Sequence, residues 1–237
     1  MADKTSPALL WQNAALVRIV GPHAKEFLQG YLSSNTDHLK QDSALPMTVC
    51  NLQGRVVASG WALETSDGTG LLVHTSLAQT VVAFLRPYVT FSNCDFASNN
   101  GVPEGSCLLI DPEGCELVEG LAVRPADRPP AQSQDGSAVA THALTKAGFV
   151  FVSEPVSARF LPQMLGLHER GAVDFDKGCY LGQEIVARAQ FRGAIKRQLH
   201  YLEAAEFDGD VNVGDQTDNK AVIVQLANDG ALAVVPV

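Results

Sequence analysis

The sequence predicts an α+β protein, built from antiparallel sheets with helices and ending in a small C-terminal β element. Three observations carry this expectation. Residues 16–91 run strand–helix–strand–strand–strand–helix, the order of an antiparallel sheet covered by helices on one face. From Arg197 onward the pattern changes to alternation, the period of half-buried strands. The composition, 46% hydrophobic and 18% charged in 237 residues, supplies enough apolar surface for a core and excludes disorder as the main state.

Taken in order, residues 16–20 read as a strand, closed by Gly21-Pro22. Residues 23–32 read as a short helix with Phe27, Leu28, Tyr31 and Leu32 at helical spacing. Ser33-Ser34-Asn35-Thr36-Asp37 breaks it. Residues 46–50 and 55–63 form two strands joined by a turn at Asn51-Leu52-Gln53-Gly54, where the glycine supplies positive φ. Residues 70–74 make another strand, 77–85 a helix ended by Pro87, and 89–91 a further strand. Residues 97–104 are loop. Residues 106–110 and 116–118 are short strands around the turn Asp111-Pro112-Glu113-Gly114. Residues 124–137 hold three prolines and many polar groups and read as a linker. Residues 142–147 are helical up to Gly148, and Phe149-Val150-Phe151-Val152 is apolar and β-prone. Residues 183–190 form a helix, and strands follow at 221–226 and 231–235. The expected organisation is an N-terminal lobe (1–98), a shortened middle segment with a Pro-rich linker (99–140), a second α+β part (141–196) and a truncated β domain (197–237).

The totals exclude several classes of function. With 17 Lys and Arg against 26 Asp and Glu, the net charge is −9, unlike a general nucleic-acid coat protein. No apolar run approaches the roughly 20 residues of a membrane helix. Met1-Ala2-Asp3-Lys4-Thr5-Ser6-Pro7 lacks the basic start and apolar core of a secretory signal, so a cytoplasmic location is expected. Five cysteines, an odd number with no C-x-x-C, point away from a disulfide framework or zinc ribbon. Cys50, Cys94, Cys107 and Cys115 are expected to be small buried hydrophobes.

One stretch departs from this background. Residues 177–197 hold five cations (Lys177, Arg188, Arg192, Lys196, Arg197) and one acid, Glu184, a local +4 in a chain of −9. Such separation places a cationic site on an acidic body and suits an anionic ligand; the alternative is a solvated face paired with distant acids. Cys179 is flanked by Gly178 and Gly182, which let main chain approach a ligand, and it precedes a helix start. That end, together with Lys177 and a folded-back Arg188, favours the thiolate. The reading is a reactive or metal-contacting sulfur; the alternative is a thiol packed at a tight turn. Glu184 reads as a base, a helix-start charge or, most simply, an ion-pair partner of Arg188 at i,i+4. Gln183 suits an amide-like edge such as a pterin, or a plain helix surface.

Lys177-Gly178-Cys179-Tyr180-Leu181-Gly182-Gln183-Glu184 resembles the signature of the YgfZ family, K-G-C-[FY]-x-G-Q-E. Ile185-Val186-Ala187-Arg188-Ala189-Gln190-Phe191-Arg192-Gly193 and Phe160-Leu161-Pro162-Gln163 are also similar to that family. Weaker similarity runs through Ile19-x-Gly21, Phe27-Leu28-Gln29-Gly30, Gln53-Gly54-Arg55 and Leu85-x-x-Tyr88. It thins between about 95 and 140 and after 205. The resemblance implies the fold of the glycine cleavage T-protein, an aminomethyltransferase: α+β lobes around a folate-sized opening, with a C-terminal β-barrel-like domain. It implies a factor for assembly or repair of iron–sulfur clusters, linked to tetrahydrofolate or another folate, with Cys179 central. Iron–sulfur client enzymes or assembly proteins are the implied partners, with no membrane and no nucleic acid. Lys177, Arg188 and Arg192 would supply positive potential, and Tyr180 and Tyr88 ring surfaces. One promising cysteine falls short of the roughly four thiolates a cluster needs, so no metal site held by this chain alone is expected.

The alternative function is a tetrahydrofolate-dependent aminomethyl or one-carbon transferase; a third is a non-catalytic folate or anion sensor. Where the transferase carries an acidic pair, this chain has Ala58 and Ser59, which argues against aminomethyl transfer. Where the transferase has a pterin-binding Glu before Ala-Gly, Lys146 precedes Ala147-Gly148 and offers donors only. Two positions that are aromatic in the family fall near Ala14 and Ala140.

Overall fold

The computed structural model describes residues 7–206 and 211–237; the N-terminal residues 1–6 and their reading as leaderless lie outside the described residues. In chain order, β1 (Ala8–Leu10), β2 (Ala14–Val20) and α1 (Ala24–Gln29) precede the strands β3 (Ala44–Cys50), β4 (Val56–Thr65) and β5 (Gly68–His74). There follow α2 (Ala78–Val89), β6 (Asp95–Phe96), β7 (Cys107–Val118), β8 (Leu121–Ala126), β9 (Ser133–Asp135) and α3 (Ser137–Lys146). Last come α4 (Gln183–Arg192), β10 (Arg197–Glu203), β11 (Val222–Ala227) and β12 (Gly230–Pro236).

Three sheets result, and their order explains the burial of each strand. The five-stranded sheet runs β3-β4-β5-β2-β6, with β3–β4, β4–β5 and β2–β5 all antiparallel. In β4 every residue from Val56 to Leu63 is buried, so both of its faces are covered and no solvent-facing alternation survives. Gly54 in the β3–β4 turn takes φ +69°, as the sequence requires there. A second sheet, β8-β7-β1-β9, joins the chain's first strand to the middle segment, antiparallel to β7 and parallel to β9. The third, β10-β12-β11, is the small C-terminal β element, an antiparallel sheet among the described residues. No helix of the described residues is long and apolar enough to cross a membrane.

Five local expectations need correction. Pro87 does not end the helix; α2 continues to Val89. In the last turn proline forfeits only one hydrogen bond, and Val89 completes the buried stripe of Ala78, Val81, Val82 and Leu85. Residues 89–91 are therefore not a strand, and the strand after α2 is β6. Asp111-Pro112-Glu113-Gly114 is no turn between two strands but a bulge within β7: Ile110 and Cys115 both face Val123 of β8, so pairing resumes on the same partner. Part of the expected linker is sheet, since Arg124–Ala126 finishes β8 and Ser133–Asp135 is β9. Pro125 is tolerated because β8 is an edge strand. Of the four cysteines expected in the interior, only Cys50 is fully buried; Cys94, Cys107 and Cys115 are half-buried.

The apolar run at 149–152 forms no strand, yet it is buried and satisfied. Phe151 N–H donates to Gln225 Oε1 at 2.8 Å and Val152 N–H to Ser59 Oγ at 2.9 Å. Phe149 stacks on Trp61 with centroids 4.2 Å apart. This segment covers the face of β4 that helices leave open.

Candidate functional site

The segment from Asp174 to Arg192 is held by main chain at several points. Asp174 N–H donates to Ser33 O at 2.9 Å, and its Oδ1 accepts from the N–H groups of Asp176 and Lys177. Leu181 N–H donates to Gly30 O at 3.0 Å, docking the loop on the end of α1. Gly182 is the N-cap of α4 with φ +84°, and a Cβ there would lie 2.3 Å from Asn51 O. The loop thus rests on the β3–β4 turn at one end and on Ser33 at the other.

Between these anchors Cys179 is exposed, and so is Gly178. A Cβ on Gly178 would meet nothing within 4 Å. The two motif glycines therefore differ in kind: Gly182 is demanded by this chain's own packing, whereas Gly178 leaves open space beside the thiol. Gly182→Ala is expected to lower stability by about 2 kcal/mol or more, from left-handed backbone and the clash with Asn51. Gly178→Ala should stay within about 0.5 kcal/mol of wild type. Denaturant melts of the two variants check both.

Lys177 is not the ligand-facing cation its charge suggested. It is only 7% exposed, and Nζ donates to Gln29 O, Leu32 O and Ser34 O at 2.7, 2.8 and 2.9 Å. All three of its protons are used, so it clamps the motif to the loop after α1 instead of offering charge to a ligand. Burial pushes its ammonium down to about 8, opposed by the nearby Asp174 and Asp37 carboxylates. Tyr180 likewise offers no free ring surface: it is buried, its ring lies 5.2 Å from Lys177 Nζ, and burial raises its phenol. Tyr88 is 43% exposed on α2 and packs on Tyr31 at 5.1 Å, which packs on Phe27. Among the described residues Glu184 and Arg188 form no ion pair, contrary to expectation. Both are exposed and, with Ala187, Phe191 and Arg192, line a groove of about 650 Å³ along α4. Gln183 is half-buried at the first position of that helix, its N–H donating to Tyr180 O.

Sequence reasoning missed the acceptors that cage Lys177, because backbone carbonyls of residues 29–34 leave no side-chain signal. It also missed Phe175, which enters the motif loop and meets Phe191 edge-on at 5.5 Å. The larger cleft of about 1110 Å³, lined by Lys25, Asp42, Asp67 and Arg124, contains no motif residue. Arg18 pairs with Asp67 there, and Arg124 with Asp111 nearby. No group of three or more His, Cys, Asp or Glu among the described residues could hold a metal ion.

The positions matched to the transferase's folate residues do not fit a folate. Ala58 and Ser59 are fully buried, and the Ser59 hydroxyl is engaged by Val150 O and Val152 N–H. Lys146 pairs with Asp229 at 2.8 Å and bonds the Tyr201 hydroxyl. A nearby cavity of about 130 Å³ is lined by Trp11, Asn13, His74, Phe151 and Gln225. Ligand pockets start near 300 Å³. No carboxylate lines that cavity. Isothermal titration with tetrahydrofolate is expected to give no saturable heat; a stoichiometric isotherm would reverse this.

The architecture is that of the T-protein class. The glycine cleavage system aminomethyltransferase T from Bartonella henselae superposes with a TM-score of 0.69 over 97% of this chain and 78% of that one, at 14% identity. No family model matches the chain. Within that fold the chain is a distant homologue of the YgfZ proteins. The tRNA-modifying protein YgfZ of Cronobacter sakazakii is 28% identical over 79% of this chain and 68% of its own length. That of Serratia proteamaculans is 27% identical over 93% and 80%.

Proposed function

We propose that this chain is a YgfZ-type factor that supports assembly or repair of iron–sulfur clusters through Cys179. The observation that carries this reading is the exposure of that one thiol on a loop anchored at both ends, while the other four cysteines are buried or half-buried. A thiolate is the soft ligand that iron–sulfur clusters select. A single one cannot hold a cluster, so Cys179 acts transiently, with the remaining ligands on a partner.

The relatives carry tRNA modification in their name. In this reading tRNA is reached through an iron–sulfur enzyme that modifies it. Aminomethyl transfer gains no support from Ala58 and Ser59, neither of which titrates.

The test is deletion of the gene in its host, with one [4Fe–4S] enzyme and one cluster-free enzyme assayed side by side and tRNA nucleosides measured by mass spectrometry. The cluster enzyme and at least one modified nucleoside are expected to fall several-fold while the cluster-free enzyme holds. Unchanged cluster-enzyme activity overturns the proposal.

A further inference from the structure

We propose that the exposed face of α4, with the β3–β4 turn beside it, is a docking surface for an acidic protein segment that also carries an apolar side chain. This rests on the function proposed above and specifies the partner's chemistry. Of the ten residues of α4 only Val186 is buried. Its exposed side presents Arg188 and Arg192 along the groove, with Phe191 69% exposed at one end. At the other end stand Ile185 and Leu52, joined because Gly54 of the turn lies against Ile185. Phe175, four residues before Cys179 in the sequence, meets Phe191 edge-on and so ties the motif segment to the end of α4.

The two arginines of this face are not paired internally: among the described residues Arg188 and Arg192 form no ion pair, although one acid, Glu184, shares the groove. With Lys177 committed to carbonyls, Arg188 and Arg192 are the cations this groove offers, in a chain whose total is −9. Arginine and exposed aromatics are the residues enriched at protein interfaces, while charge of this kind steers and orients the partner.

The probe is a short fluorescein-labelled peptide of Glu, Leu and Phe, followed by anisotropy at physiological salt. Wild type is expected to bind it, and the double variant Arg188→Glu, Arg192→Glu to bind at least tenfold more weakly. Phe191→Ala should weaken binding several-fold, and the remote control Lys40→Glu should not change it. The same peptide with Gln for Glu should bind at least tenfold more weakly. Equal binding by wild type and the double variant overturns the proposal, provided thermal melts show both folded. So does tighter binding of a labelled RNA stem-loop, or a wild-type dimer in sedimentation that the double variant abolishes. Cys179→Ser should bind the peptide like wild type. If Cys179→Ser restores cluster-enzyme activity, the functional reading falls and the docking face stands; if binding ignores the charge reversal, the converse holds.

Discussion

Cys179→Ser is expected to fail completely in restoring cluster-enzyme activity to a deletion strain, while its melting curve superposes on that of wild type. The second half follows from exposure. The side chain packs against no core, so exchanging sulfur for oxygen should change stability by less than about 0.5 kcal/mol. The first half follows from chemistry, because a serine hydroxyl is not a soft metal ligand. Cys50→Ser is the informative contrast. That thiol is fully buried, bonded to Thr48, and pushed up to about 12 by burial. A hydroxyl in its place is expected to lower stability by about 1–3 kcal/mol, yet the folded fraction should still complement. Full complementation by Cys179→Ser would remove the chemical basis of the proposed function. Loss of function together with loss of the melting transition would reduce Cys179 to a structural residue.

What the sequence conveyed and what it hid divide along physical lines. The β3–turn–β4 hairpin was readable because Gly54 and the apolar runs on either side are side-chain signals. Of the three C-terminal strands only β10 alternates; β11 and β12 are buried along most of their length and were readable as apolar runs around Asn228-Asp229-Gly230. The bulge at Asp111–Gly114 was misread because turn residues look alike whether the chain reverses or merely loops out before pairing again with Val123. The site shows the same split. Cys179, Gly178 and Gly182 stood out by residue type, and the structure separates the glycines by what surrounds each. Lys177 and Tyr180 were misassigned for a common reason: a charge or a ring is visible in sequence, but the carbonyls and packing that consume it are not. Glu184 and Arg188 were paired by helical spacing, which sets proximity only; at an exposed site such a pair gains too little to hold two long side chains together.

Lys177→Met should be the most destabilising single change in the motif, at about 3–5 kcal/mol, because it strands three buried carbonyls that share one ammonium. Methionine nearly matches the aliphatic stem, so the loss reports the missing donors more than a cavity. Arg188→Met removes an equal charge from the exposed face and should leave stability within about 0.5 kcal/mol. The pair therefore separates a clamp from a ligand-facing cation, the role first expected of Lys177. The pH dependence gives a second readout. Lys177 is lowered to about 8 in the folded protein against an ordinary 10.5. Between those values the unfolded chain binds the extra proton, so this group makes stability rise with pH across that window. Below about 8 both states carry the proton, and above about 10.5 neither does; the slope vanishes on both sides. In urea melts the stability difference between wild type and Lys177→Met should accordingly widen from pH 8 toward pH 10. A difference that narrows would mean that the three carbonyl acceptors outweigh burial and hold the ammonium above its ordinary range. A destabilisation no larger than that of Arg188→Met would mean that the clamp does not exist.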